Sequence, residues 1–223
     1  MASSTTSPRP RGRPPKPILS PDRITDAASR IVTTQGYRHL TMTGLAKELR
    51  VSTSALYNHT PSKRDVLIRL QDRINQRIDI SGFGALAWDR ALERWARSYR
   101  DVYASHTPLI PLIAVLPVSD APHTLGMYEV VASGLVDGGW RTESVVNVIV
   151  AVESLVFGAA YDATAPADIF DPGHSAQLAP VFARAVEARA AQETVAADEA
   201  FDLALAAMLD GFRKRLSEQT LAD

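Results

Sequence analysis

The sequence predicts an all-α protein in two parts, a cluster of short helices near the N-terminus followed by a larger set of longer ones. Three observations predict it. Apolar residues recur at helical spacing along most of the 223 residues, no segment shows a convincing period-two alternation, and three helix-start signals fall within about 22 residues of one another in the first third. Residues 1–19 come first: rich in Ser, Thr and Pro, they carry Arg9, Arg11, Arg13 and Lys16, with no acid and no aromatic residue to anchor a core, which reads as a flexible basic arm. Order begins at Ser20-Pro21-Asp22, where a hydroxyl N-cap, a proline at the first helical position and an acid in the first turn suit a helix's positive end. Ile24, Ala27, Ala28, Ile31 and Val32 then form one apolar face, and Gly36 can end the helix in the left-handed conformation.

A second helix starts at Thr41, with Met42, Leu45, Ala46 and Leu49 on one face, and breaks around Arg50-Val51. Ser52 caps a third through Ala55, Leu56 and His59, and Ser62-Lys63-Arg64-Asp65 is a capping box for a fourth, running through Leu70, Ile74 and Ile78 to the Gly82/Gly84 break. Further helices are expected over 86–104, 108–116, 121–137 and 142–162. A connection rich in Pro and Asp then leads to a last long helix over about 195–217.

Composition narrows the function classes. With 46% apolar and 22% charged residues, the chain is an ordinary globular one. The longest apolar stretch, Leu109 to Val118, contains Pro111 and Pro117 and argues against a bilayer-spanning helix, and no signal peptide is visible, so a cytoplasmic location is expected. The absence of cysteine excludes disulfides, thiolate metal sites and a cysteine nucleophile. The five histidines lack metal-ligand spacing, so no metal or cofactor is expected. Gly82-Phe83-Gly84-Ala85-Leu86-Ala87 fits a dinucleotide pattern but follows a helix, and no nucleophile elbow or P-loop occurs, so no enzyme is expected.

The net charge of -1 conceals a division: residues 1–69 hold 12 Lys+Arg against 4 Asp+Glu, and residues 70–223 hold 12 against 21. A basic N-terminal third points to a polyanion. Within it, residues 41–59 place a short helix, a turn of about three residues and a second short helix in succession, which is helix-turn-helix spacing. Thr41 and Ser52 bring hydroxyls and free N–H groups to helix starts, where phosphate oxygens bind. Leu45, Ala46, Leu49, Val51 and Leu56 pack the pair. Thr43, Thr53, Ser54 and Asn58 are left outward to reach base edges, and Tyr57, His59 and Lys63 offer phosphate donors.

The ungapped run at positions 40–67, with Leu40, Thr41, Leu45, Ala46, Leu49, Val51, Leu56, Tyr57, His59, Lys63 and Leu67 at matching places, resembles the DNA-binding signature of TetR-type transcriptional repressors. The resemblance covers roughly residues 20–70. It implies that Tyr57 and Lys63 contact phosphates and that Thr43, Thr53 and Ser54 face the major groove. The organisation implied is an arm over 1–19, a three-helix helix-turn-helix DNA-binding domain over 20–66, and a helical ligand-binding and dimerisation domain over 67–223. Arg50 departs from the pattern, standing where a glycine is usual: either the turn differs, or Arg50 takes a positive φ at a cost of roughly 1 kcal/mol. Thr60 stands where a large apolar residue is common. In the arm, Arg11-Gly12-Arg13 resembles an AT-hook core for a narrow minor groove; a solubilising basic tail is the other reading.

The expected partners are duplex DNA carrying a palindromic operator, a small hydrophobic effector, and a second copy joined through helices 142–162 and 195–217, with no membrane. Trp95, Tyr99, Leu112, Leu116, Met127, Val131, Phe157 and Tyr161 would line an effector cavity, and Asn147 or Glu153 would hold the effector's polar end. The fourth helix would carry the shift that misplaces the reading heads. The competing reading is an architectural DNA-binding protein, or a regulator, without a small-molecule effector.

Overall fold

The computed structural model describes residues 19–192 and 196–222, among which every regular element is helical. The chain divides into two compact units at Val66/Leu67.

In the first unit, α1 (Pro21–Gln35) is capped by Ser20, whose Oγ accepts from the Arg23 amide at 3.3 Å, and buries Ile24, Ala27, Ala28 and Ile31. Gly36 has φ 87° as its glycine invites, but ψ 157° is extended and not left-handed helical, so the chain opens into a single turn at Tyr37–His39. α2 (Met42–Leu49) starts at Thr41, whose Oγ1 accepts from the Gly44 amide at 2.9 Å. A Cβ at Gly44 would stand 2.8 Å from the His39 carbonyl, so only glycine lets the turn lie against this helix. α2 buries Leu45, Ala46 and Leu49 and packs against α1 and α3 (Thr53–Tyr57), which Ser52 caps by accepting from the Ala55 amide at 3.1 Å. Between them Arg50 takes the left-handed conformation, φ 56° and ψ 45°.

The unit boundary falls inside α4 (Lys63–Asn75). Ser62 caps α4 by accepting from the Asp65 amide at 3.3 Å while its hydroxyl donates to the Asp65 carboxylate. The helix stops at Asn75, short of the expected position near 80. Ile78 remains buried in the following turn, so the apolar period outlasts the helix that suggested it.

In the second unit follow α5 (Trp88–Ala104), α6 (Ile110–Ile113), α7 (Pro122–Asp137), α8 (Thr142–Asp162), α9 (Pro180–Ala190) and α10 (Ala196–Ala222). The stretch expected as helix 108–116 contracts to α6 and a preceding turn, in keeping with Pro108 and Pro111. α8 is central, packed against α5, α7 and α10. By length and composition it would also suit a bilayer, but its burial of Val145, Val148, Ile149, Val152, Val156 and Ala160 against three helices marks it as a core helix. The connection after α8 is not only loop: it contains α9, none of whose residues is fully buried. α10 runs five residues beyond the expected end at 217.

Candidate functional site

In the first unit the apolar and polar residues of the α2–α3 pair separate by face. Leu45, Ala46, Leu49 and Leu56 turn inward, whereas Thr41, Thr43, Ser52, Thr53, Ser54, Tyr57, Asn58 and His59 are exposed, Tyr57 by half its surface. The Thr41 and Ser52 hydroxyls accept from their own helices, so toward an outside group each retains its proton to donate. Lys63 is engaged: its Nζ donates to the Tyr37 hydroxyl at 3.0 Å and stands 4.1 Å from that ring's centre. Tyr37 was invisible as a partner because the two residues lie 26 apart in sequence. Thr60 is fully buried.

A cleft of about 420 Å³ on this unit gathers Arg23, Asp26, Arg30, Glu48, Leu49 and Arg50, and an adjoining one adds Arg38, His39, Thr41 and Lys47. Glu48 is neutralised by Arg30 at 3.2 Å. Arg38, Lys47 and Arg50 therefore add exposed positive charge around α2 that the motif alone did not single out. Arg11, Gly12 and Arg13 lie outside the described residues.

In the second unit, Trp95, Tyr99, Met127 and Val131 are buried, and Leu112, Leu116 and Phe157 are partly so. Trp95, Tyr99, Tyr103 and Phe157 form one ring cluster, with Tyr99 5.3 Å from Trp95 and 5.6 Å from Phe157 between centroids. Tyr161 is exposed, and Asn147 lies elsewhere, in a surface cleft with Trp140, Phe212 and Arg215. Of the two polar residues on α8, Glu153 is the one that meets the cluster. Its Oε1 accepts from the Tyr99 hydroxyl at 2.9 Å and from the Tyr128 hydroxyl. Burial raises the Glu153 carboxyl above its ordinary range against the opposing pull of these two phenols, and burial likewise drives Tyr99, Tyr103 and Tyr128 well up.

A polar chain beside this cluster was not foreseen. The Tyr103 hydroxyl donates to Asn75 Oδ1 at 2.7 Å, Asn75 Nδ2 donates to Thr124 Oγ1 at 3.0 Å, and the Thr124 amide donates to Asp72 Oδ1 at 2.8 Å. α7 has no side-chain cap of its own, and Asp72 of α4 supplies one at its third residue. These partners are 49 and 52 residues apart, beyond the reach of local pattern.

Residues 24–70 match the family of bacterial regulatory proteins of the tetR type, and residues 84–216 match the tetracyclin repressor-like C-terminal domain. The HTH-type transcriptional repressor DrrR1 of Streptomyces coeruleorubidus is 31% identical over 149 residues, 66% of this chain and 55% of that protein. An HTH-type transcriptional regulator of Saccharopolyspora erythraea is 27% identical over 143 residues, 64% of this chain and 60% of that protein. The matched region thus spans under two thirds of either relative. Among solved structures, apo ActR of Streptomyces coelicolor superposes with a TM-score of 0.77 at 21% identity, covering 92% of this chain and all of that one. ActR in complex with actinorhodin superposes at 0.74 and 22% identity, covering 89% and 98%. At these identities the likeness concerns the fold.

Proposed function

The chain belongs to the TetR family of bacterial regulators, and from that premise we propose that it is a cytoplasmic transcriptional repressor without catalytic activity. In this reading it binds a palindromic operator in duplex DNA as a homodimer and lets go when a small, largely hydrophobic effector enters the second unit. One observation carries the reading: a capped pair of short helices, set in a basic unit, with its apolar side buried and Thr43, Thr53, Ser54 and Asn58 outward. A five-residue helix fits a groove about 12 Å wide, and short hydroxyl and amide side chains reach base edges there. Tyr57, His59, Lys63, Thr41 and Ser52 would hold phosphates around it, joined by Arg38, Lys47 and Arg50.

The dimer is supported by apolar side chains that the single chain leaves uncovered. On α8, Val146 is 65% and Val150 52% exposed at helical spacing, and on α10 Leu203 is 75% exposed. Two reading heads are also what one short helix requires, since it contacts too few bases alone. ActR's complex with actinorhodin supports a small-molecule effector by analogy of fold. An effector preferring a conformation with mis-spaced heads would lower operator affinity by population shift.

Selection of binding sites from random duplexes with the purified full chain tests this. The expected outcome is one enriched palindrome bound by a dimer, about 10³-fold or more above random sequence. Enrichment of bent or A/T-rich DNA without a palindrome would establish the architectural reading in its place, and no retention of any duplex at low salt would remove both.

A further inference from the structure

Resting on the regulatory reading above, and deepening it, we infer that the effector carries a protonated amine, which Glu153 binds among the rings of Tyr99, Tyr103, Tyr128 and Phe157. Other acids of the second unit are provided for. In the second unit Asp79 pairs with Arg94, Asp89 with Arg213, Glu93 with Arg90 and Arg97, Asp198 with Arg100 and Asp202 with Arg97, while Asp72 is held by the amide and hydroxyl of Thr124. Glu153 meets two phenols, both on Oε1, and no cation among the described residues; its Oε2 has no hydrogen-bond partner there. A carboxylate partly withdrawn from water without a cation is costly, and two neutral donors on one oxygen offset only part of that cost. A cation at Oε2 would complete the set.

The rings around it favour the same charge. Tyr99, Tyr103 and Phe157 stand 5.1–5.6 Å apart between centroids, and aromatic faces attract cations electrostatically. Phe157 follows Glu153 by one helical turn, so ring and carboxylate share a face of α8. Glu153, Phe157 and Tyr128 are each only partly buried, which leaves the carboxylate reachable without dismantling the core. One turn before Tyr99, the fully buried Trp95 carries an indole N–H with no acceptor among the described residues. The class that fits is an aromatic ring system carrying a basic nitrogen that is protonated near neutral pH, and an aromatic carboxylate is disfavoured by repulsion from Glu153.

The groups facing Glu153 are Tyr99 and Tyr103 on α5 and Tyr128 on α7, while on α10 Asp198 and Asp202 are occupied by Arg100 and Arg97. Burial drives all three phenols up and so keeps them neutral, and affinity for an amine rises as the Glu153 carboxyl loses its proton.

Three probes on one ring system test the inference with the full chain and no DNA: 9-aminoacridine as cation, acridine as neutral form and acridine-9-carboxylate as anion, each titrated by calorimetry. The expected result is at least about tenfold tighter binding of 9-aminoacridine than of acridine near neutral pH and weakest binding of the carboxylate. Glu153→Gln should abolish the preference, with folding checked by circular dichroism. Tyr128→Phe, which keeps the carboxylate, should retain it and decides the matter if Glu153→Gln does not fold. Binding of none of the probes, equal affinity for cation and neutral form, or a preference that survives Glu153→Gln overturns the inference. Duplex binding is scored separately without probe, so failure of the regulatory reading registers there and failure of the cation site registers in the affinity ratio.

Discussion

Arg50 offers a perturbation whose two effects separate cleanly. It holds φ 56° in the turn between α2 and α3, where an L-residue with a Cβ pays about 1–2 kcal/mol and glycine pays none. Glycine in turn costs about 0.5–1 kcal/mol more than alanine in unfolded-chain entropy. Arg50→Gly should therefore exceed Arg50→Ala in stability by about 0.5–1 kcal/mol, since alanine keeps the strain and glycine relieves it. For a chain of this size that is a shift of about 2 °C in melting temperature, within reach of scanning calorimetry. Both variants delete the same exposed charge, so if Arg50 neutralises a phosphate, both should lower the slope of log affinity against log salt by about 0.9. Equal melting temperatures, or a less stable glycine variant, would refute the strain argument; unequal salt slopes would show that turn geometry, and not charge, is what DNA feels.

Three further outcomes are expected. Lys63→Ala should weaken duplex binding about equally on all sequences, whereas Thr53→Ala and Ser54→Ala should change which sequences are enriched in a binding-site selection. Asp72→Ala leaves the Thr124 amide buried without its acceptor and should cost about 2 kcal/mol by urea unfolding, while Asp72→Asn, which keeps an acceptor, should cost less. Glu153 lies above its ordinary 4.5 in the folded state, so the stability it contributes is fully present below that value and is lost as pH rises through the raised one; Glu153→Gln should flatten this fall in urea midpoints. Asp79 runs the other way. Hydrogen bonds from Ser81, then Arg94, hold it at about 2, so its contribution is present above its ordinary 3.8 and disappears as pH falls toward 2.

What could be read in the sequence was local. Ser20, Thr41, Ser52 and Ser62 all cap the helices they announced, because a hydroxyl and the amide three residues on are neighbours whatever the rest of the chain does. The outward placement of Thr53, Ser54 and Tyr57 follows from the same short-range geometry. Where long-range packing decides, the sequence was silent or misleading. Ile78 continued an apolar period after its helix had ended, and α9 stands where only a connection was expected. Asn147 and Glu153 look alike as polar breaks in an apolar helix, yet one faces the surface and the other meets two tyrosines from α5 and α7. Tyr128, Asn75, Thr124 and Asp72 gain their meaning only from each other.

The cap that Asp72 lends to α7 bears on the order in which the molecule assembles. A segment that begins without a local acceptor for its early amides nucleates poorly by itself, and its missing acceptor lies 52 positions upstream. During synthesis that acceptor is already made when residues 122–137 emerge, so a nascent α7 can finish its first turn against material that precedes it. Refolding from denaturant enjoys no such head start: the loop must close before the turn is rewarded, which places this junction among the later, slower steps.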